Sequence, residues 1–402
     1  MTAIDPGLPR YPFSTRGDRL AEELRSGCPM LRVTTNAGDE AWLVTGHAEV
    51  RQVLSGARFA RAQVADGDSP VQDVPLLAPE LLDAMPYLRR AGMYDEIQRS
   101  LHDMADLPDP WLRAVIQEAV EETVAQGAPC DLQRHFSEPV AGRVMCRLLG
   151  LPESDLSELK VWADTDLTMR LPEETVHRNW GRLRDHMLEQ FERDGLAAAT
   201  GLLPRLVTRN RGEGALTPEQ LANILGVVFV AGYEDLASFL GVASFHLAQM
   251  PQVLARLRGE PETVDGDVEE LLRYSVVLGN ALARIATEDT DLAGHKVRTG
   301  EMVLVSTDAA NFDTARFAEP HAYDPGRRPN PHVRFGHGPN YCPGARLTRR
   351  VSALAFVALA GLGDLRLAVP PREVEWVPDR MAITPVAVPV LWEDPAATAR
   401  AR

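Results

Sequence analysis

Phe335-Gly336-His337-Gly338-Pro339-Asn340-Tyr341-Cys342-Pro343-Gly344-Ala345-Arg346 sets one cysteine inside a run of glycine, proline and asparagine, directly before an apolar helical pattern. Glycine lets a backbone turn tightly without a Cβ clash. Successive N–H groups in such a turn can converge on one anionic atom. A helix starting near Gly344 adds its positive N-terminal end. Both effects favour thiolate over thiol, so the stretch reads as a device for presenting sulfur to a metal. The competing reading is a nucleophilic or structural cysteine in a glycine-rich turn.

The rest of the chain narrows these choices. Its 402 residues suffice for one large fold with a deep core. Composition is that of an ordinary globular protein, 45% hydrophobic and 25% charged. A net charge of −15 speaks against nucleic-acid binding. Cys28, Cys130, Cys146 and Cys342 form no CxxC pair, so neither a zinc site nor a disulfide framework is expected. The first three read as inert buried thiols in a reducing cytoplasm. The N-terminus lacks a basic and an apolar signal region. No uninterrupted apolar run approaches a membrane span, the nearest being 224–231. The expectation is a cytoplasmic chain with no membrane contact.

Local patterns predict a mainly α protein with a minor β part. Trp42-Leu43-Val44 reads as a strand and 47–54 as a short helix. A helical run starts at Asp95, and 111–125 and 137–149 repeat apolar residues at helical spacing. Residues 62–93 show no clean period and read as loops with short helices. Residues 169–180 cannot be placed from the pattern. Thr217-Pro218-Glu219-Gln220 is a helix start, with a capping threonine, a proline at the first helical position and a glutamine completing a capping box. The helix it opens runs to about Gln249, roughly 45 Å at 1.5 Å per residue. It is apolar on most faces and reads as a buried spine. Val303-Leu304-Val305 and 386–391 read as β segments. No linker divides the chain, so 1–402 is expected to be a single domain.

The cysteine stretch resembles the heme-binding loop of the cytochrome P-450 family, with Phe335, Gly336, Gly338, Cys342 and Gly344 at the family's spacing. Two more signatures occur upstream in the family's order. Glu270-Leu271-Leu272-Arg273 is similar to its Glu-x-x-Arg, and Ala231-Gly232-Tyr233-Glu234-Asp235 to its Ala-Gly-x-Glu-Thr. The resemblance covers nearly the whole chain. It implies the P-450 fold, with heme b (iron protoporphyrin IX) between a long central helix and the Cys-bearing loop, and Cys342 as metal ligand. It implies a structural triad of Glu270, Arg273 and Arg327. It assigns cofactor contacts to Arg99, Ala231, Arg284, His332, Phe335, Gly336, Asn340, Cys342 and Gly344. The chain departs from the family at Asp95, where a histidine is usual, and at Asn340, where His or Arg is usual; His332 is a candidate to compensate.

The largest departure is Asp235, which stands where the family carries the threonine that works with the preceding acid, here Glu234, in delivering protons to dioxygen. Three readings stay open. Asp235 itself handles the proton, the substrate supplies a hydroxyl or phenol, or the reaction is aromatic C–C or C–O oxidative coupling rather than oxygen insertion. The resemblance implies a monooxygenase or oxidase acting on a small apolar or aromatic substrate, with a peptide or carrier-bound aromatic as candidates, in a secondary-metabolite tailoring step. Segments 276–282 and 383–386 match its substrate-lining regions, with Asn280 and Thr384 as polar exceptions. Electrons would come from a ferredoxin and an NAD(P)H-dependent reductase, and Arg346, Arg349 and Arg350 are candidates for docking the ferredoxin. The alternative is a heme-free, P-450-like non-catalytic partner protein.

Overall fold

The computed structural model describes residues 7–13, 16–25, 27–60, 70, 72, 93–166, 172–196, 199–213, 216–378 and 380–393. Apart from positions 70, 72 and 93, the 62–93 loop region therefore lies outside the described residues, as do 169–171 of the second unassigned stretch. In chain order the elements are β1 (Met30–Thr34), β2 (Glu40–Val44), α1 (His47–Ser55), β3 (Phe59–Ala60), α2 (Met93–Asp103), α3 (Asp109–Gln126) and β4 (Cys130–Asp131). Next come α4 (Glu138–Leu149), α5 (Leu156–Asp166), α6 (Glu173–Phe191), α7 (Leu202–Glu213), α8 (Pro218–Leu247), α9 (Pro251–Gly259) and α10 (Val264–Tyr274). The chain closes with β5 (Leu282–Ala286), β6 (Thr290–Leu292), β7 (His295–Val297), β8 (Met302–Val305), α11 (Thr307–Ala310), α12 (Ala345–Ala360), β9 (Arg366–Leu367) and β10 (Pro389–Leu391). These elements gather into two compact units, each assembled from separated stretches of chain.

The first unit comprises Met1–Ala78, Glu269–Cys342 and Val377–Ile383. Its frame is a five-stranded sheet in the order β1-β2-β8-β5-β3. The β2–β8 pair is parallel, with Trp42 opposite Val303, and the other pairs are antiparallel. Side chains alternate across a strand, and the alternation builds two cores. Val44, Val303 and Val305 pack with Val50, Val53 and Leu54 of α1. On the other face Ala41, Leu43, Met302 and Leu304 pack with Tyr11. All four residues of β8 are buried, as an apolar central strand requires.

The second unit comprises Pro79–Val268, Pro343–Trp376 and Thr384–Arg402. Its spine is α8. The capping box forms as its sequence predicts: Gln220 N–H donates to Thr217 Oγ1 at 3.2 Å, and Thr217 N–H to Gln220 Oε1 at 3.0 Å. The helix stops at Leu247 rather than Gln249. Pro251 disfavours helical backbone at the residue before it, and Met250 has left the helix at φ −123°. Gly232 leaves room for Met145 of α4, whose flexible end would have to shift for a Cβ there, since that Cβ would lie 2.4 Å from Met145 Cε. The start of α4 is wider than its periodicity suggests, since a π turn, Gln133–Ser137, precedes it. Of the β segment read over 386–391, only Pro389–Leu391 forms a ladder. The Val388 N–H goes instead to the Asp131 carboxylate at 2.8 Å.

Among the described residues α8 is the one helix long and apolar enough to cross a membrane, with a mean hydropathy of 1.5. Counting uninterrupted apolar runs missed this, because isolated polar residues break the run without lowering the average. Of its 18-residue apolar stretch 72% is buried within the protein, consistent with a core spine.

Replacing Thr217 with alanine should remove the cap and cost about 1 kcal/mol. Urea unfolding should show a lower midpoint with an unchanged slope.

Candidate active site

The first unit is organised around α10. Glu270 and Arg273 lie on one helix face, three residues apart, and both side chains are fully buried. They pair through two parallel bonds, Arg273 Nε to Glu270 Oε2 at 2.9 Å and Nη2 to Oε1 at 2.7 Å. The remaining donors of Arg273 reach three backbone carbonyls, Asn311 at 3.0 Å, Pro320 at 2.7 Å and Ala322 at 3.2 Å. Glu270 also accepts from Asp324 N–H at 3.0 Å, Asn330 Nδ2 at 3.1 Å and Arg327 Nε at 3.3 Å. The structure thus brings Glu270, Arg273 and Arg327 together. Asn330 is a fourth member that the motif does not contain.

The cysteine loop follows that coil. Gly336 and Gly338 both hold left-handed backbone, at φ +74° and +73°. At Gly338 no side chain fits, since a Cβ would meet the Leu54 carbonyl at 2.7 Å. A 3₁₀ turn over Gly338–Asn340 carries exposed Asn340. The loop closes when Cys342 N–H donates to the Phe335 carbonyl at 2.9 Å. The Cys342 thiol is left half-buried. In the second unit, Gly344 caps α12, and Thr348 N–H donates to its carbonyl at 2.9 Å.

The other cysteines differ. Burial pushes the Cys146 thiol up to about 12, and it also raises that of Cys130, with Asp131 adding to the effect. Cys28, read from sequence as buried, is exposed, because it lies in the coil before the edge strand β1. Its thiol donates to the Met30 carbonyl at 3.0 Å. Among the described residues no group of three His, Cys, Asp or Glu side chains could hold a metal.

The other expected cofactor contacts are placed as follows. Arg284 is buried on β5, with Nη1 donating to the Ala283 carbonyl at 2.7 Å. The His332 ring accepts from Arg334 N–H at Nδ1, 3.3 Å away, which leaves Nε2 as donor to Glu269 at 3.1 Å. Both ring nitrogens thus have protein partners, and the carboxylate facing His332 is Glu269. Phe335 packs at a tilt against His332 and edge-on to Tyr341. Arg99, on α2 in the second unit, is 61% exposed and paired with Glu96 at 2.8 Å.

In the second unit, α8 is buried for most of its length but opens in the middle. Val227, Val228 and Gly232 are half-buried there, and Ala231 and Asp235 are exposed. Residues four apart share a helix face, so Val227, Ala231 and Asp235 form one open stripe. Glu234 lies off it and is only 2% exposed. The stripe continues, now covered, at Ser238, whose hydroxyl is 2.5 Å from Thr384 Oγ1. Of the three arginines on α12, Arg350 makes a two-point ion pair with Asp109 and holds that carboxyl below its usual range. Arg346 is exposed, while Arg349 Nη1 donates to the Ala345 carbonyl at 3.5 Å.

Comparison with known proteins identifies the family. Residues 184–360 match the family model described as Cytochrome P450. Mycocyclosin synthase of Mycobacterium tuberculosis is 33% identical over 395 residues, spanning 96% of this chain and 99% of the relative. Mycinamicin IV hydroxylase/epoxidase of Micromonospora griseorubida is 31% identical over 404 residues, spanning 98% and 100%. The crystal structure of HinD with NMFT and NO superposes with a TM-score of 0.85 at 35% identity, covering 96% of this chain and all of that one. The chain belongs to the cytochrome P450 family. It is an oxidoreductase with the P450 fold, and the family implies a heme-iron cofactor.

The residues present fit that group. In the first unit a single half-buried thiol ends a turn in which Gly338 has no room for a Cβ, and the buried Arg284 suits an anionic edge.

Replacing Glu270 with glutamine would leave Arg273 buried without a countercharge, at a cost of about 3–5 kcal/mol. Heme content per chain and the urea midpoint should fall together, whereas an unchanged midpoint would remove Glu270 from the centre of this network.

Proposed function

We propose that the chain is a heme-thiolate monooxygenase or oxidase that tailors a secondary metabolite, with heme b bound through Cys342. The observation that carries this is the glycine turn closed by Cys342 N–H on the Phe335 carbonyl, which presents one half-buried sulfur. Bound there, heme supplies activation of dioxygen, and thiolate ligation favours O–O cleavage. Arg284 is proposed to hold a propionate, with Phe335, Gly336 and Gly344 shaping the ligand loop and Ala231 leaving room on the α8 stripe. Arg99 and Asn340 are exposed, and both ring nitrogens of His332 have protein partners, so a cofactor role for these three would require their side chains to rearrange. Residues 1–402 are read as one domain, since the matched segment 184–360 draws on both units.

The substrate reading rests on the relatives and on α8. The mycinamicin and mycocyclosin enzymes bear names of secondary-metabolite steps. The open stripe is apolar apart from Asp235, so it suits a small apolar or aromatic molecule, free or carried on a peptide or carrier protein. Asp235, rather than buried Glu234, sits where a carboxyl can exchange a proton with a group over Ala231. An acid on the stripe in place of a hydroxyl favours a second reading, oxidative coupling of aromatic rings. A ferredoxin and its NAD(P)H-dependent reductase are proposed as electron donors, with Arg346 on the docking face. A cytoplasmic location accords with the burial of α8.

The reduced, carbon monoxide-saturated protein should show the red-shifted band of a thiolate ligand, and Cys342→Ser should lose it. If the band survives in that variant, another group holds the iron. With isotope-labelled dioxygen, label in the product indicates oxygenation, and its absence indicates coupling or desaturation. Asp235→Thr should raise product formed per NAD(P)H without altering heme content. Loss of turnover with heme retained would instead give Asp235 a role of its own.

A further inference from the structure

The residue just before the cysteine loop, Arg334, is 8% exposed at its side chain and makes contacts that no motif contains. Its Nε donates to the Leu272 carbonyl at 2.9 Å, its Nη2 to the Ser275 carbonyl, and its Nη1 to Asp308 Oδ1 at 2.5 Å. The two carbonyls lie at the C-terminal end of α10, which ends at Tyr274, where unpaired carbonyls and the helix dipole favour a cation. Asp308 belongs to α11, and its side chain is 3% exposed. Its other oxygen, Oδ2, has no hydrogen-bond partner among the described residues. Asn311, which ends the same short helix, accepts Val333 N–H at 2.8 Å. Side chains at both ends of α11 therefore grip the two residues that lead into the loop.

This grip bears on the sulfur through one backbone group. The residue after Arg334 is Phe335, whose carbonyl accepts Cys342 N–H at 2.9 Å. On the other side, Gly336 N–H donates to the Val333 carbonyl at 2.9 Å. With Val333 and Arg334 both anchored, the direction of the Phe335 carbonyl is set, and with it the place of Cys342. We propose that Arg334, held by Asp308 and the end of α10, is a positioning residue for the Cys342 thiolate. It acts through Phe335, in parallel with the Glu270–Arg273–Arg327 network that holds the preceding coil. The fork geometry matters because three acceptors in three directions suit a planar guanidinium and not a single ammonium. The proposal rests on Cys342 being the heme ligand.

The test uses heme-loaded, full-length protein and the variants Arg334→Ala, Arg334→Lys and Asp308→Asn. Three properties are read: the ferrous carbonyl spectrum, the ferric/ferrous midpoint potential and thermal unfolding. Arg334→Ala should shift most of the carbonyl band to the unshifted position of a lost thiolate, move the potential, and speed heme loss by about 10-fold, the usual scale for a group that orients a metal ligand. Asp308→Asn keeps an acceptor for Nη1 and should retain most of the red-shifted band. If Arg334→Ala melts earlier but keeps a wholly red-shifted band and an unchanged potential, Arg334 only supports the fold and the proposal fails. If Arg334→Ala does not fold, Arg334→Lys decides. A mixture of the two bands supports positioning, and a wholly red-shifted band overturns it. A wild-type protein without a red-shifted band would instead overturn the assignment of Cys342 itself.

Discussion

The fully buried carboxylate of Glu270 is the constraint on which the first unit depends. Taking an ionised carboxylate and a guanidinium out of water is costly, and their attraction alone barely offsets it. The geometry is tolerable because almost every lone pair and donor is used. Glu270 meets two guanidinium groups, an amide side chain and a backbone N–H, while Arg273 uses its remaining donors on three carbonyls. Such a network adds little net stability, but it has few alternative arrangements, so it fixes where the coil runs. A well-packed apolar patch would hold the coil as firmly without dictating its path.

That path matters because the coil delivers the chain to Cys342. Two left-handed glycines turn the loop, a backbone bond closes it, and buried side chains hold it at its root. Each device is rigid and local. None is chemically reactive, and the thiol they present is the half-buried one, whereas the buried thiols of Cys130 and Cys146 are pushed towards their neutral form. The same chain thus holds cysteines in different surroundings, two buried and one half-buried at the end of a glycine turn, and surroundings rather than residue type set what a thiol can do.

In the second unit the spine helix shows a comparable division. Most of α8 is buried, yet Val227, Ala231 and Asp235 leave a stripe uncovered. A helix this apolar gains by covering every face, so an uncovered stripe at its centre is the exception that supports the proposed role of Ala231 and Asp235. An acidic residue on that stripe, with its acidic neighbour turned into the core, distinguishes two carboxylates that are adjacent in sequence.

The amino-acid sequence by itself determined what rests on near neighbours in the chain. The capping box at Thr217, the helical pairing of Glu270 with Arg273, and the tight turn around Gly336 and Gly338 are all set within a few residues, where spacing translates directly into geometry. The family followed from that local chemistry together with the resemblance of three short motifs, and membership of the cytochrome P450 family agrees with it. Tertiary structure decided the rest. The partners Arg334 and Asp308, Asn330 and Glu270, His332 and Glu269, Ser238 and Thr384, and Arg350 and Asp109 are separated by 26 to 241 positions. No periodicity links residues so far apart, because their meeting depends on how strands and helices pack and not on any local backbone preference. Burial was decided in the same way. Cys28 is exposed, Glu234 is buried and Asp235 is open because of what the folded chain lays over each of them, which no stretch of sequence around these residues contains.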